Sequence, residues 1–111
     1  MGESVVLGCA VSVLVGGLVL ALAIWQMRSG SVRFLHSYHY SNVPAAELPA
    51  LARESGRWLA VAGASVALMG LSLLLPGPAS DIASAACLVV TFVAIVMACN
   101  AIIRRNGSLF G

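Results

Sequence analysis

The sequence predicts an all-α integral membrane protein with three transmembrane helices, N-terminus outside and C-terminus inside, and a cytoplasmic loop holding a short interfacial helix. Three observations predict this. Of the 111 residues, 60% are hydrophobic and 9% charged, with a mean hydropathy of +1.00; soluble domains carry about 25% charged residues to cover a water-facing surface. The apolar residues gather into three uncharged stretches, 5–27, 58–75 and 82–103. The six basic residues are all arginines, and they fall only in the segment 28–57 and at Arg104-Arg105.

Each stretch is close to the roughly 20 apolar residues that let a helix cross a hydrocarbon core of about 30 Å. Strands are excluded by length, since fully buried strands run to about 8 residues. A bilayer also demands that every backbone amide be satisfied within the segment. Near the start, Ala21-Leu22-Ala23 resembles a signal cleavage site and Val6-Leu7-Gly8-Cys9 a lipoprotein box. No Lys or Arg precedes Val5, no apolar region precedes the box, and the stretch exceeds the usual core of about 7–15 residues. A retained first span is therefore expected.

Gly30 is expected to end the first helix and Pro49 to open the second, because a proline in the first turn forfeits no helical hydrogen bond. That second helix would start in water, with Arg53 and Arg57, and enter lipid near Trp58. Residues 76–81, Pro-Gly-Pro-Ala-Ser-Asp, read as a tight outer turn in which Ser80 or Asp81 caps the third helix. Asn106-Gly107 reads as a helix stop, with Arg104 and Arg105 at the negative end of the dipole. The chain is then one membrane domain, 1–111. Its loop 28–57 is too short to fold independently.

Orientation follows from the arginines. With the N-terminus outside, all six face the cytoplasm and the outer segments carry only Glu3 and Asp81; the Lys/Arg bias of short loops sets topology. Trp25 and Trp58 suit the inner headgroup level.

Helices in lipid associate through close packing, helped by small residues at four-residue spacing. The first span has Gly8, Ser12 and Gly16, with Gly17 and Ala21 alongside. The second has Gly56, Ala60 and Ala64, with Gly63 and Ala67. The third has Ala83, Cys87 and Thr91, then Ala94 and Ala98. Such faces serve bundling within one chain and also homo-oligomerisation.

Chemistry is sparse. The spans hold no ionisable side chain beyond their cysteines, where an ion or substrate path would place one; Ser12, Ser65, Ser72, Thr91 and Asn100 are among the polar groups available. No buried carboxylate suits proton-coupled export. No nucleophile has a histidine at membrane depth, and phosphate-loop, zinc-protease and dinucleotide motifs are absent. No catalytic residue, cofactor site or metal site is expected. Cys9, Cys87 and Cys99 lack metal or redox spacing and read as small packing residues. A scattered net charge of +2 gives no basis for nucleic-acid binding.

Polar and aromatic side chains concentrate in Arg33-Phe34-Leu35-His36-Ser37-Tyr38-His39-Tyr40-Ser41-Asn42-Val43. His36, Tyr38, His39, Tyr40 and Asn42 are the candidate interaction residues. A metal site, a pH-sensitive switch and a contact patch are the functional readings; two histidines fall short of the usual ligand count unless Glu47 or Glu54 folds back. An interfacial helix is the simpler reading, with Phe34, Leu35 and Tyr38 on its apolar face and Arg33 and His36 toward headgroups and water.

Leu35-His36-Ser37-Tyr38-His39, then Asn42-Val43, a short polar segment and Gly56 opening an apolar helix, resembles a family of small three-helix bacterial membrane proteins that share a domain of unknown function. Those proteins follow the Asn-Val pair with a Lys/Glu/Asp-rich stretch, where this chain has Pro44-Ala45-Ala46-Glu47-Leu48-Pro49. The resemblance implies a multi-pass protein of the bacterial inner (plasma) membrane and implies no activity. The functional expectation is a non-enzymatic accessory or interaction subunit acting through its cytoplasmic loop, with the lipid bilayer and a membrane protein or a second copy as partners. The alternatives are a homo-oligomeric transporter or pore, and an immunity or resistance protein against a membrane-active toxin.

Overall fold

The computed structural model describes residues 3–30 and 42–107, and among these it is all helical, with no strand. Helix α1 runs Glu3–Ser29, α2 runs Leu48–Ser72 and α3 runs Gly77–Asn106, with a 3-10 turn, Ala45–Glu47, leading into α2. The expected short interfacial helix lies outside the described residues.

The helix ends follow from local chemistry. Gly30 takes a φ of 67° and donates its N–H to Gln26 O at 3.0 Å; Gly107 takes 87° and donates to Ile103 O at 2.8 Å. Both left-handed stops need glycine because a Cβ would crowd the following carbonyl. Arg28 in the last turn of α1, and Arg104 and Arg105 in that of α3, sit at the negative end of each helix dipole. Pro49 lies in the first turn of α2.

The turn between α2 and α3 differs from expectation. The chain leaves α2 at Ser72 and tightens, with the amides of Leu73, Leu74 and Leu75 donating three residues back. Pro76, extended at φ −61° and ψ 149°, is the N-cap of α3, and no side chain caps it. Ser80 and Asp81 are therefore not caps: they lie inside α3, where Ser80 N–H donates to Pro76 O at 2.9 Å. Pro78 explains the earlier start, since its ring presets a helical φ and its missing amide hydrogen is surplus in a first turn.

The helices form a layer with α2 in the middle. Both α1 and α3 pack against α2, and among the described residues they do not touch each other. Contacts of Gly8 with Leu73, Gly16 with Gly63 and Gln26 with Ser55 make α1 and α2 antiparallel. Contacts of Ser72 with Ser84 and Glu54 with Arg104 do the same for α2 and α3. Arg28, Arg53, Arg57, Arg104 and Arg105 consequently share one end of the layer.

Burial is inverted relative to a water-soluble domain, where large apolar residues are inside. Leu14, Ile82 and Phe92 are about 70% exposed, at 72%, 72% and 68%. Most buried positions are small or polar: Gly16, Ala23 and Gln26 on α1; Ala62, Gly63, Ser65 and Gly70 on α2; Ala94, Ala98 and Ala101 on α3; the large apolar exceptions, Leu51 and Ile102, lie at the arginine-bearing end. Helices α1 and α3 are each long and apolar enough to cross a membrane, and only 6% and 11% of their most apolar stretches are buried against protein. Helix α2 is different. Its first turns carry Arg53, Glu54 and Arg57, and from Trp58 to Ser72 it rises roughly 22 Å at about 1.5 Å per residue, short of the 30 Å or so of a hydrocarbon core.

Candidate functional site

Two features organise the molecule: a glycine seam that holds α1 to α2, and a cationic groove between α2 and α3. The seam repeats every seven residues. Gly56, Gly63 and Gly70 lie along α2, and a Cβ built on each would stand 3.2, 2.8 and 3.0 Å from the carbonyl oxygens of Ala23, Gly16 and Cys9, themselves seven residues apart on α1. A Cβ on Gly16 would meet Ala67 N at 2.4 Å and Gly63 O at 2.5 Å. These are backbone atoms, so no rotamer change relieves the crowding. A seven-residue period keeps one seam turned to a partner helix along its length, and small residues let the two backbones meet.

The residues expected to pack the helices divide accordingly. Gly16, Gly63 and Ala67 meet in the seam, Ser12 lies against Gly70, and Gly8 approaches the Leu73 side chain. Ala60 and Ala64 are half-buried. Gly70 is the seam residue that a four-residue template misses, although its seven-residue spacing from Gly63 is visible in the sequence.

At the arginine-bearing end, polar contacts lock the layer. Gln26 of α1 is 1% exposed and donates through Nε2 to Ala52 O at 2.9 Å and to Ser55 Oγ at 3.0 Å; Ser55 Oγ donates to Leu51 O at 2.7 Å. Asn42, the described member of the loop cluster, is tied to α3. Its backbone N–H donates to Asn106 Oδ1 at 2.7 Å and its Nδ2 to Asn106 O at 3.1 Å, so it serves one of the carbonyls that a helix C-terminus leaves without an internal partner. Val43, Leu51 and Ile102 form a small apolar cluster beside this tie, with Leu48 packed against it. His36, Tyr38, His39 and Tyr40 lie outside the described residues.

The groove between α2 and α3 has a volume of about 490 Å³ and is lined by Ala50, Arg53, Glu54, Arg57 and Trp58 of α2 and by Met97, Arg104 and Arg105 of α3. Glu54 bridges the helices, accepting from Arg104 at Oε1 and from Arg105 at Oε2, the latter at 2.6 Å. The Arg105 hydrogen bond is the main cause that holds the Glu54 carboxyl below its ordinary 4.5; partial burial opposes it, and the charges of Arg104 and Arg105 reinforce it. Two guanidinium groups thus hold the one carboxylate; Arg53 and Arg57 add to the lining, with Arg53 Nη2 reaching toward Gly30 at the end of α1. The Nε–H of Arg105 is buried and meets no acceptor among the described residues. Sequence patterning finds the arginines but not the groove, which depends on which faces of α2 and α3 meet.

The remaining polar groups do not line a common path within one chain. Ser12 lies between α1 and α2. Thr91, on α3, donates to Cys87 O of its own helix at 2.8 Å, and Asn100 is exposed. Ser72 donates to Met69 O and pairs with Ser84 across α2 and α3. Cys9, Cys87 and Cys99 are free and half-buried. Among the described residues, no three His, Cys, Asp or Glu side chains come together as metal ligands.

Fold and groove together define an all-helical chain with two helices fit to cross a membrane and a cationic cleft at one end. Compared with models of protein families, with curated proteins and with solved structures, the chain matches none.

Proposed function

We propose that the protein is a three-helix, multi-pass component of the bacterial plasma membrane, N-terminus outside and C-terminus inside, that works without catalysis as an accessory or interaction subunit. Helix α2 would be the third span. Its apolar length is short, but α1 and α3 flank it, so lipid meets it only at residues such as Val61, Leu68 and Leu71, which are exposed.

The observation that carries this reading is the gathering of the described arginines at one end of a layer most of whose large apolar side chains are exposed. An arginine-rich end belongs on the cytoplasmic side. The loop that holds His36, Tyr38 and His39 returns to that same end through Asn42 and Asn106, which supports that surface as the one offered to partners. The resemblance of the loop to small bacterial membrane proteins agrees with the setting.

Crosslinking in native membranes followed by mild-detergent purification tests the interaction reading. Wild type should retain a partner that the triple His36→Ala, Tyr38→Ala, His39→Ala variant loses. Identical partners from both proteins would overturn it.

A further inference from the structure

We infer that the groove between α2 and α3 is a binding site for the phosphate of an anionic phospholipid headgroup. This rests on the membrane reading above, because it puts the groove at the inner headgroup level.

The argument begins with charge. Arg53 and Arg57 stand one turn apart on α2, Arg104 and Arg105 close the other wall from α3, and Glu54 is the single carboxylate among the described lining residues. Glu54 engages Arg104 and Arg105 through one nitrogen each. A guanidinium has five N–H donors in a fixed fork that matches phosphate oxygens two at a time. Most of the guanidinium donors of the lining residues therefore remain for a second anion.

The rest of the lining selects the kind of anion. Trp58, Met97 and Ala50 give the groove an apolar part beside its cationic part. A phospholipid matches both, with its phosphate among the arginines and its glycerol and upper acyl carbons against Trp58 and Met97. Basic pockets between transmembrane helices on the cytoplasmic side hold anionic headgroups in this way. A free phosphate would use only the cationic part.

The experiment uses the full chain in phosphatidylcholine nanodiscs, titrated with phosphatidylglycerol or cardiolipin, or with inorganic phosphate, and read by Trp58 fluorescence in a Trp25→Phe background and by native mass spectrometry. Anionic lipid should be retained at least tenfold over phosphatidylcholine, with phosphate competing weakly. Arg53→Gln with Arg57→Gln should abolish that preference. Glu54→Gln, which removes the competing carboxylate, should raise affinity severalfold; this opposite-direction change keeps the test decisive if the arginine variants fold poorly. Saturation by inorganic phosphate at the same concentration as by lipid would overturn the lipid assignment in favour of a soluble phosphate compound. Equal retention of neutral and anionic lipid by wild type, or an unchanged preference in a folded double variant, would overturn the site. Resistance of the protein to alkaline carbonate extraction from its native membrane tests the membrane reading separately.

Discussion

Gly16 and Gly17 are neighbours on α1 with opposite surroundings, and replacing each by alanine isolates the seam from every other effect. A Cβ on Gly17 meets nothing within 4 Å; a Cβ on Gly16 lands 2.4 Å from Ala67 N, 2.5 Å from Gly63 O and 2.9 Å from Ala67 Cα. Ordinary contact begins at 3.4 Å, so Gly16→Ala forces α1 and α2 apart by about 1 Å, a gap that forfeits a quarter to a half of the dispersion attraction across it. With backbone on both sides nothing can rotate away, so the loss belongs in the upper part of the range for overpacking, about 2–3 kcal/mol. Gly17→Ala carries only the helix-propensity gain, up to about 1 kcal/mol in water. Both proteins are unfolded by adding SDS to maltoside micelles while Trp25 and Trp58 fluorescence is followed. The expected result is a much lower midpoint for Gly16→Ala and an unchanged or slightly higher one for Gly17→Ala. Equal midpoints, or a Gly16→Ala protein as stable as wild type, would refute the seam.

Three further outcomes follow from the arginine-bearing end. Gln26→Leu removes the hydrogen bonds from α1 to Ala52 and Ser55 and should lower stability by about 0.6–1.7 kcal/mol, the range for interhelical polar contacts in membranes, in the same SDS titration. Asn42→Ala leaves Asn106 O without its side-chain donor and should cost about 1 kcal/mol, seen as faster hydrogen exchange in the last turn of α3. Glu54 has a folded-state pKa below its ordinary 4.5, so its contribution is complete above 4.5 and is lost as pH falls from there through the depressed value. Thermal unfolding in maltoside between pH 7 and 3 should show this decline, and Glu54→Gln should flatten it. The pair is partly exposed, so its effect should be modest.

Helix class was legible because the bilayer argument depends on composition and run length alone, and α1 and α3 carry both in plain form. The stops at Gly30 and Gly107 were equally local, since each needs one residue able to adopt positive φ. The turn between α2 and α3 was not: Ser80 and Asp81 are good caps in isolation, but Pro76 and Pro78 start α3 a turn earlier. Small-residue faces were visible without their register. A four-residue template selects Ala60 and Ala64 and passes over Gly70, whereas the backbone approach follows the seven-residue repeat of Gly56, Gly63 and Gly70. Gln26 carried no expectation from the sequence; only the antiparallel match of α1 to α2 puts it against Ala52 and Ser55. The cationic groove was likewise hidden, because Arg53 and Arg57 are some fifty residues from Arg104 and Arg105 in sequence and are brought together by α2 lying beside α3.

Ala50 borders the arginine-bearing groove and Ala79 lies at the opposite end of the layer, and both are exposed. With Cys9, Cys87 and Cys99 replaced by alanine, single Ala50→Cys and Ala79→Cys proteins are treated in intact cells with a membrane-impermeant maleimide. Ala79→Cys should react at once and Ala50→Cys only after the cells are opened; labelling of Ala50→Cys from outside, or recovery of the chain in the detergent-free soluble fraction, would contradict the placement on which the proposed role depends.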